Sequence, residues 1–144
     1  MASVAALYTP EVLSLAASLA AMPFDPAMAA VGTARSASCG SRIDISLTLD
    51  GAGRIQRVGL RAQACAIGQA AAAIFAAAAP GLGRADIAAA LAALRSWLLG
   101  EGTMPAWPGL APIAPAQAYP GRHGAILLAW IAALEALSTP EASR

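Results

Sequence analysis

The chain has 144 residues, 58% of them apolar, 12% charged and 5% aromatic, with nine Arg, no Lys, eight acids and a formal charge of +1. That length suits one domain with a core large enough to dispense with disulfides. The near-neutral balance, with no basic stripe to follow a phosphate backbone, excludes nucleic acid as an expected partner. Much of the apolar fraction is alanine, which favours helices but fills little volume. Packing therefore falls to Leu, Ile, Phe24, Phe75, Trp97, Trp107 and Trp130.

The longest apolar run, Gly124 to Leu134, is shorter than the roughly 20 residues that span a bilayer, so no membrane association is expected. Val12 to Met22 is apolar and precedes Ala27-Met28-Ala29, but no basic residue comes before Arg35, as a secretory n-region requires. The expected location is the cytoplasm, where both cysteines rest as thiols.

In chain order, Thr9-Pro10-Glu11 predicts a helix start, with a hydroxyl cap, proline in the first position and an acid in the first turn. Val12, Leu13, Leu15, Leu19 and Met22 continue it up to Pro23. Residues 23 to 38 read as irregular. Ile43, Ile45, Leu47 and Leu49 alternate with Asp44, Ser46 and Thr48, the pattern of a half-buried strand. Asp50-Gly51-Ala52-Gly53 is a turn, and Ile55 to Ala64 is the returning strand, whose slipped alternation predicts one β-bulge. An Ala-rich helix is expected from Cys65 to Ala79 and another from about Ala85 to Leu99, with Ile87, Leu91, Leu94 and Leu98 on one face. Residues 101–120 hold five of the ten prolines and read as an ordered loop or insertion. The last helix, about Gly121 to Leu137, is apolar nearly all round and should lie in mid-core. One hairpin with about four helices makes a single α+β domain, its small antiparallel sheet covered on one face.

Cys39 and Cys65 lie equally far from the turn at Gly51 and Ala52, so an antiparallel ribbon carries both to its open end. Cys65 precedes a helix, where the dipole favours a thiolate. Two thiolates are half of a tetrahedral metal site. The plainer reading, two small buried apolar groups, stands beside it. The single histidine, His123, is a third candidate ligand, with simple solvation as its alternative. Catalysis by Cys65 as nucleophile would need an oriented base and an oxyanion site, and none is evident. The chain is therefore expected not to be an enzyme.

Ser38-Cys39-Gly40-Ser41 before an alternating strand, then Gln63-Ala64-Cys65-Ala66-Ile67 opening a helix, then Arg122-His123-Gly124-Ala125-Ile126-Leu127-Leu128-Ala129-Trp130, together resemble the iron–sulfur cluster scaffold family of IscU, SufU and the N-terminal part of NifU. The opening Leu7-Tyr8-Thr9-Pro10 is similar too, and the likeness runs from about residue 7 to residue 137. The 60 residues from Cys65 to Ala125, with the Pro-rich stretch between, are closer to SufU than to IscU. The resemblance implies the family's α+β fold and an iron–sulfur cluster, iron or zinc held at Cys39 and Cys65. It implies a cysteine desulfurase and cluster-accepting apo-proteins as partners, and a homodimer if two chains complete one cluster. This sequence departs from the family at two ligands. The aspartate two residues after the first cysteine is Ser41, and the third cysteine, implied in sulfur acceptance in IscU-like members, is Ala125. The Leu-Pro-Pro-Val-Lys segment handed to a chaperone is replaced by Tyr119-Pro120-Gly121-Arg122. The alternative function is a degenerate scaffold homologue that assembles no cluster and serves as an interaction module, for example on a desulfurase.

Overall fold

The computed structural model describes residues 4–37 and 40–138. Thr9 caps the first helix, α1 (Pro10–Ser18), by accepting a hydrogen bond from the Val12 N–H at 3.2 Å, and a short 3₁₀ turn extends it through Leu19–Ala21. Three strands follow: β1 (Ala30–Arg35), β2 (Arg42–Leu49) and β3 (Ile55–Gln63). They form one antiparallel sheet in the order β1-β2-β3. The helices α2 (Ala66–Ala78), α3 (Arg84–Leu98) and α4 (His123–Leu137) complete the chain.

The expected hairpin is β2 and β3. Asp50 closes its turn, its carboxylate accepting from the Ala52 and Arg54 N–H groups, both at 2.9 Å. Those bonds to backbone N–H groups hold the Asp50 carboxyl below its ordinary range. The expected bulge is present as well. Thr48 faces Arg57 and Leu49 faces Ile55, so Gln56 is the extra residue.

Two expectations are corrected. The stretch read as irregular contains β1, which pairs with β2 from Ala30↔Leu47 to Arg35↔Arg42. Its core-facing residues are Ala30, Gly32 and Ala34, too small to give the usual apolar signal. Their smallness has a use, because α4 lies directly on them. A Cβ on Gly32 would collide with the Ala132 carbonyl oxygen and come within 2.7 Å of the Ala136 nitrogen. The Pro-rich stretch, in turn, includes an eight-residue 3₁₀ segment, Ala111–Ala118, with Ile113 and Ala116 buried.

The core lies between the sheet and the helices. Ile43, Ile45 and Leu47 of β2 are fully buried against it. As its all-round apolarity predicts, α4 runs through mid-core, in contact with β1, β2, α2 and α3, while α1 packs on α2. Phe75, Trp107 and Trp130 form a ring cluster with centroids 5.3–5.5 Å apart, and the Trp107 indole N–H donates to the Ile74 carbonyl at 3.0 Å. Phe24 stands apart from this core. It lies on the other side of the sheet, beneath the Arg61 guanidinium at 4.5 Å.

Candidate metal centre

One end of the sheet collects the residues of interest. There Arg35 faces Arg42 and Arg42 faces Gln63, so the β1–β2 connection and the exit of β3 leave side by side. That connection is closed by the Ser36 N–H donating to the Ser41 carbonyl at 2.8 Å and the Gly40 N–H donating to the Ser36 carbonyl at 3.0 Å. Gly40 has φ of +72°, a left-handed conformation that explains a glycine directly after Cys39. Cys39 itself lies outside the described residues, and so does the expected convergence of the two sulfurs. What the backbone shows is that the segment flanking Cys39 and the residue Cys65 belong to the same end of the sheet. Ser41 is buried there, at the start of β2.

Cys65 is a free thiol, half buried, in the N-cap position of α2. Its backbone is extended, with φ −64° and ψ 167°, and its side chain makes no capping bond. The first turn is held instead by Gln69, whose N–H donates to the Cys65 carbonyl at 2.9 Å and whose side-chain amide donates to the Ala64 carbonyl at 2.8 Å. Among the described residues the sulfur is thus left without a hydrogen-bond partner, at the positive end of a helix.

Position 125 comes to the same place. Gly68 stands three residues into the turn that Cys65 begins. A Cβ built there would lie 2.9 Å from the Ala64 Cβ and 3.1 Å from that of Ala125. Ala125 is 1% exposed. Gly68 and Ala125 thus bring α2 and α4 into close contact one turn along from Cys65. The family resemblance alone placed Ala125 at the third-cysteine position; its contact with Gly68 is visible only in three dimensions.

His123 is placed differently. Its Nε2 donates to the Gln117 carbonyl at 2.8 Å, and its ring lines a small cleft with Arg95, Leu98, Leu99 and Leu127. Two residues of helix turn the chain by about 200°, so His123 and Ala125 face opposite sides of α4. His123 and Leu127, one turn apart, face α3 instead. Leu127 is partly buried, packed against the core along this cleft. Arg122 donates to the Tyr8 hydroxyl at 3.4 Å, which ties the start of α4 to the start of α1. Among the described residues no three His, Cys, Asp or Glu side chains gather as a metal-ion site. None of the helices among them is long and apolar enough to cross a membrane.

A second polar group went unnoticed in the sequence. Asp44, on the face of β2 opposite the core, is 5% exposed. Its carboxylate accepts from the Thr33 hydroxyl at 2.7 Å, from Arg42 at 3.0 and 3.1 Å and from Arg61 at 3.0 Å. Burial pushes its carboxyl up, but the hydrogen bonds from Thr33, Arg61 and Arg42 prevail and hold it below the ordinary value. The only signal available was its place in the alternating strand, where an exposed acid was the simpler reading.

No family model matches the chain, and no curated protein matches it in sequence. Solved structures do. The N-terminal part of a nitrogen-fixing NifU-like protein from Brucella abortus superposes with a TM-score of 0.80 at 25% identity, covering 91% of this chain and 92% of that one. A protein assigned as an iron–sulfur cluster assembly scaffold for the SUF system, from Fervidobacterium islandicum AW-1, superposes with a TM-score of 0.82 at 19% identity, covering 94% of this chain and all of that one.

Proposed function

We propose that this chain, which shares the α+β fold of the NifU-like and SufU scaffold proteins, is a scaffold-like carrier whose cargo is an iron–sulfur cluster, iron or zinc held through Cys39 and Cys65. The observation that supports it is the meeting, at one end of the sheet, of the Cys65 thiol, the β1–β2 connection that includes Cys39, and position 125. Two thiolates fill half of a tetrahedral site, and a [2Fe–2S] cluster takes four protein ligands. Two chains contributing two cysteines each would complete a cluster, so cluster loading goes with dimer formation in this reading. His123 is left out of the ligand set, because its Nε2 is bonded to the Gln117 carbonyl and its ring faces α3. The reading is of a binding protein in the cytoplasm, not of an enzyme, with a cysteine desulfurase and cluster-accepting proteins as partners.

The Gly68–Ala125 contact favours a second reading. A third ligand at position 125 is replaced by sealed apolar packing, as expected of a homologue that has given up cluster assembly and kept the family surface for docking.

Anaerobic purification with quantitation of iron, zinc and acid-labile sulfide separates the two, using the wild type, Cys39→Ser, Cys65→Ser and His123→Ala. The carrier reading expects metal in the wild type and in His123→Ala and its loss in both cysteine variants. Iron and sulfide near one cluster per two chains would identify a bridged dimer, and zinc alone a mononuclear site. Metal-free wild type, with the fold intact by circular dichroism, would overturn the carrier reading in favour of the docking module.

A further inference from the structure

β3 is an edge strand, and its open side is covered at two points. The Leu60 N–H donates to the Met22 carbonyl at 2.8 Å, and Ile55 exchanges bonds with Leu82 and Gly81 at 2.9 and 2.7 Å. Between them the edge is bare. In an antiparallel ladder alternate residues direct N–H and C=O to the same side, so Val58 shares the outward direction of Leu60. No backbone group of a described residue bonds Val58 there.

The gap opens into a cavity of about 330 Å³, lined by Met22, Pro23, Met28, Val58, Ala76 and Pro80. That volume is at the lower end of pockets that hold small ligands, too small for a helix but suited to an apolar side chain. Two of its walls are methionines, which adapt to varied shapes. Two charges sit at its mouth, Arg57 and Asp25. One oxygen of Asp25 is already engaged by the Ala27 N–H at 2.9 Å. Arg57 is exposed and makes no hydrogen bond or ion pair with a described residue. It also belongs to a basic sheet face: Arg35, Arg42, Arg57 and Arg61 project there, and the one strand acid among them, Asp44, is spent on Arg42, Arg61 and Thr33.

We propose that this cavity is a docking slot for an extended segment of a partner protein carrying one large apolar side chain with a carboxylate beside it. The segment adds backbone hydrogen bonds at Val58, seats its apolar side chain between Met22 and Met28, and pairs its carboxylate with Arg57. Strand addition to an edge, with a pocket for a side chain, is a recurrent mode of peptide recognition. The site lies beside the middle of β3, whereas Cys65 follows that strand's end, so it does not rest on the metal reading.

The test is a titration of the ¹⁵N-labelled full chain with the peptide acetyl-Thr-Glu-Leu-Glu-Thr-amide, followed by amide chemical shifts. Saturable shifts at Val58, Met28 and Ala76 are expected, with binding weakened at least about tenfold by Arg57→Glu and by a control peptide with lysine in place of both glutamates. Arg57 is exposed, and an unchanged spectrum away from the cavity will show that Arg57→Glu folds. The proposal is overturned if the cavity amides do not shift saturably, or if Arg57→Glu or the lysine peptide binds as well as the original pair.

Discussion

The two faces of β2 bury their central side chains by different means. On the inner face Ile43, Ile45 and Leu47 of β2 pack under α4, and β1 offers only Ala30, Gly32 and Ala34 so that the helix can approach. On the outer face Asp44 and Ser46 are also buried, at 5% and 0% exposure, beneath no helix at all. Hydrogen bonds fill that role: Thr33, Arg42 and Arg61 enclose Asp44, while Ser46 accepts from the Asp25 N–H at 3.0 Å and anchors the segment that crosses the sheet. A core face tolerates little change of volume, whereas a bonded polar face tolerates volume change but not the loss of a partner.

Substitutions on the two faces should separate these terms. The largest loss is expected for Ile45→Ala, about 2–5 kcal/mol from lost burial and a cavity under α4, read from urea unfolding. If it costs less than about 1 kcal/mol, the inner face is not the packed interface described here. Next is Gly32→Ala, about 1–3 kcal/mol, because the added methyl meets helix backbone that cannot rotate aside. Paired with Ala132→Gly it should not recover, since the clash is with the main chain and not with a side chain.

Asp44→Asn should cost less, about 1–2 kcal/mol, because Arg42 and Arg61 keep much of their hydration, with side chains 38% and 58% exposed. Its effect depends on pH. The Asp44 carboxyl is lowered in the folded state, so on acidification the unfolded chain takes up its proton first. The contribution is therefore complete above the ordinary carboxylate value of about 4 and is lost as pH falls through the lower folded value. Between pH 6 and pH 3 the wild type should lose stability more steeply than Asp44→Asn; parallel slopes would mean that the network is not electrostatic. The smallest effect is expected for Ser46→Ala, about 0.5–1 kcal/mol, since Asp25 is exposed and water can replace the lost acceptor. A loss as large as that of Ile45→Ala would show that the 23–28 crossing is part of the core.

What was legible in the chain was local. Thr9-Pro10-Glu11 announced α1, period-2 alternation announced β2, the Asp50–Gly53 turn and the slipped phase announced β3 with its bulge, and the Ala-rich run after Cys65 announced α2. Each is set by torsional preference, capping or side-chain period within a few residues. The ordered motifs around Cys39, Cys65 and Ala125 also sufficed for the family resemblance, which the fold likeness to NifU-like and SufU proteins upholds.

Tertiary structure decided the rest, because it turns on which surfaces meet. β1 was illegible because its core residues are alanine and glycine, chosen by the approach of α4 and not by strand propensity. Asp44 looked like an exposed alternate residue until β1 and β3 brought Thr33 and Arg61 to it. The face that His123 presents follows from the rotation of α4 against α3, and the seal at Ala125 follows from the contact of α4 with Gly68. None of these is encoded by spacing, since each depends on contacts between segments distant in the chain.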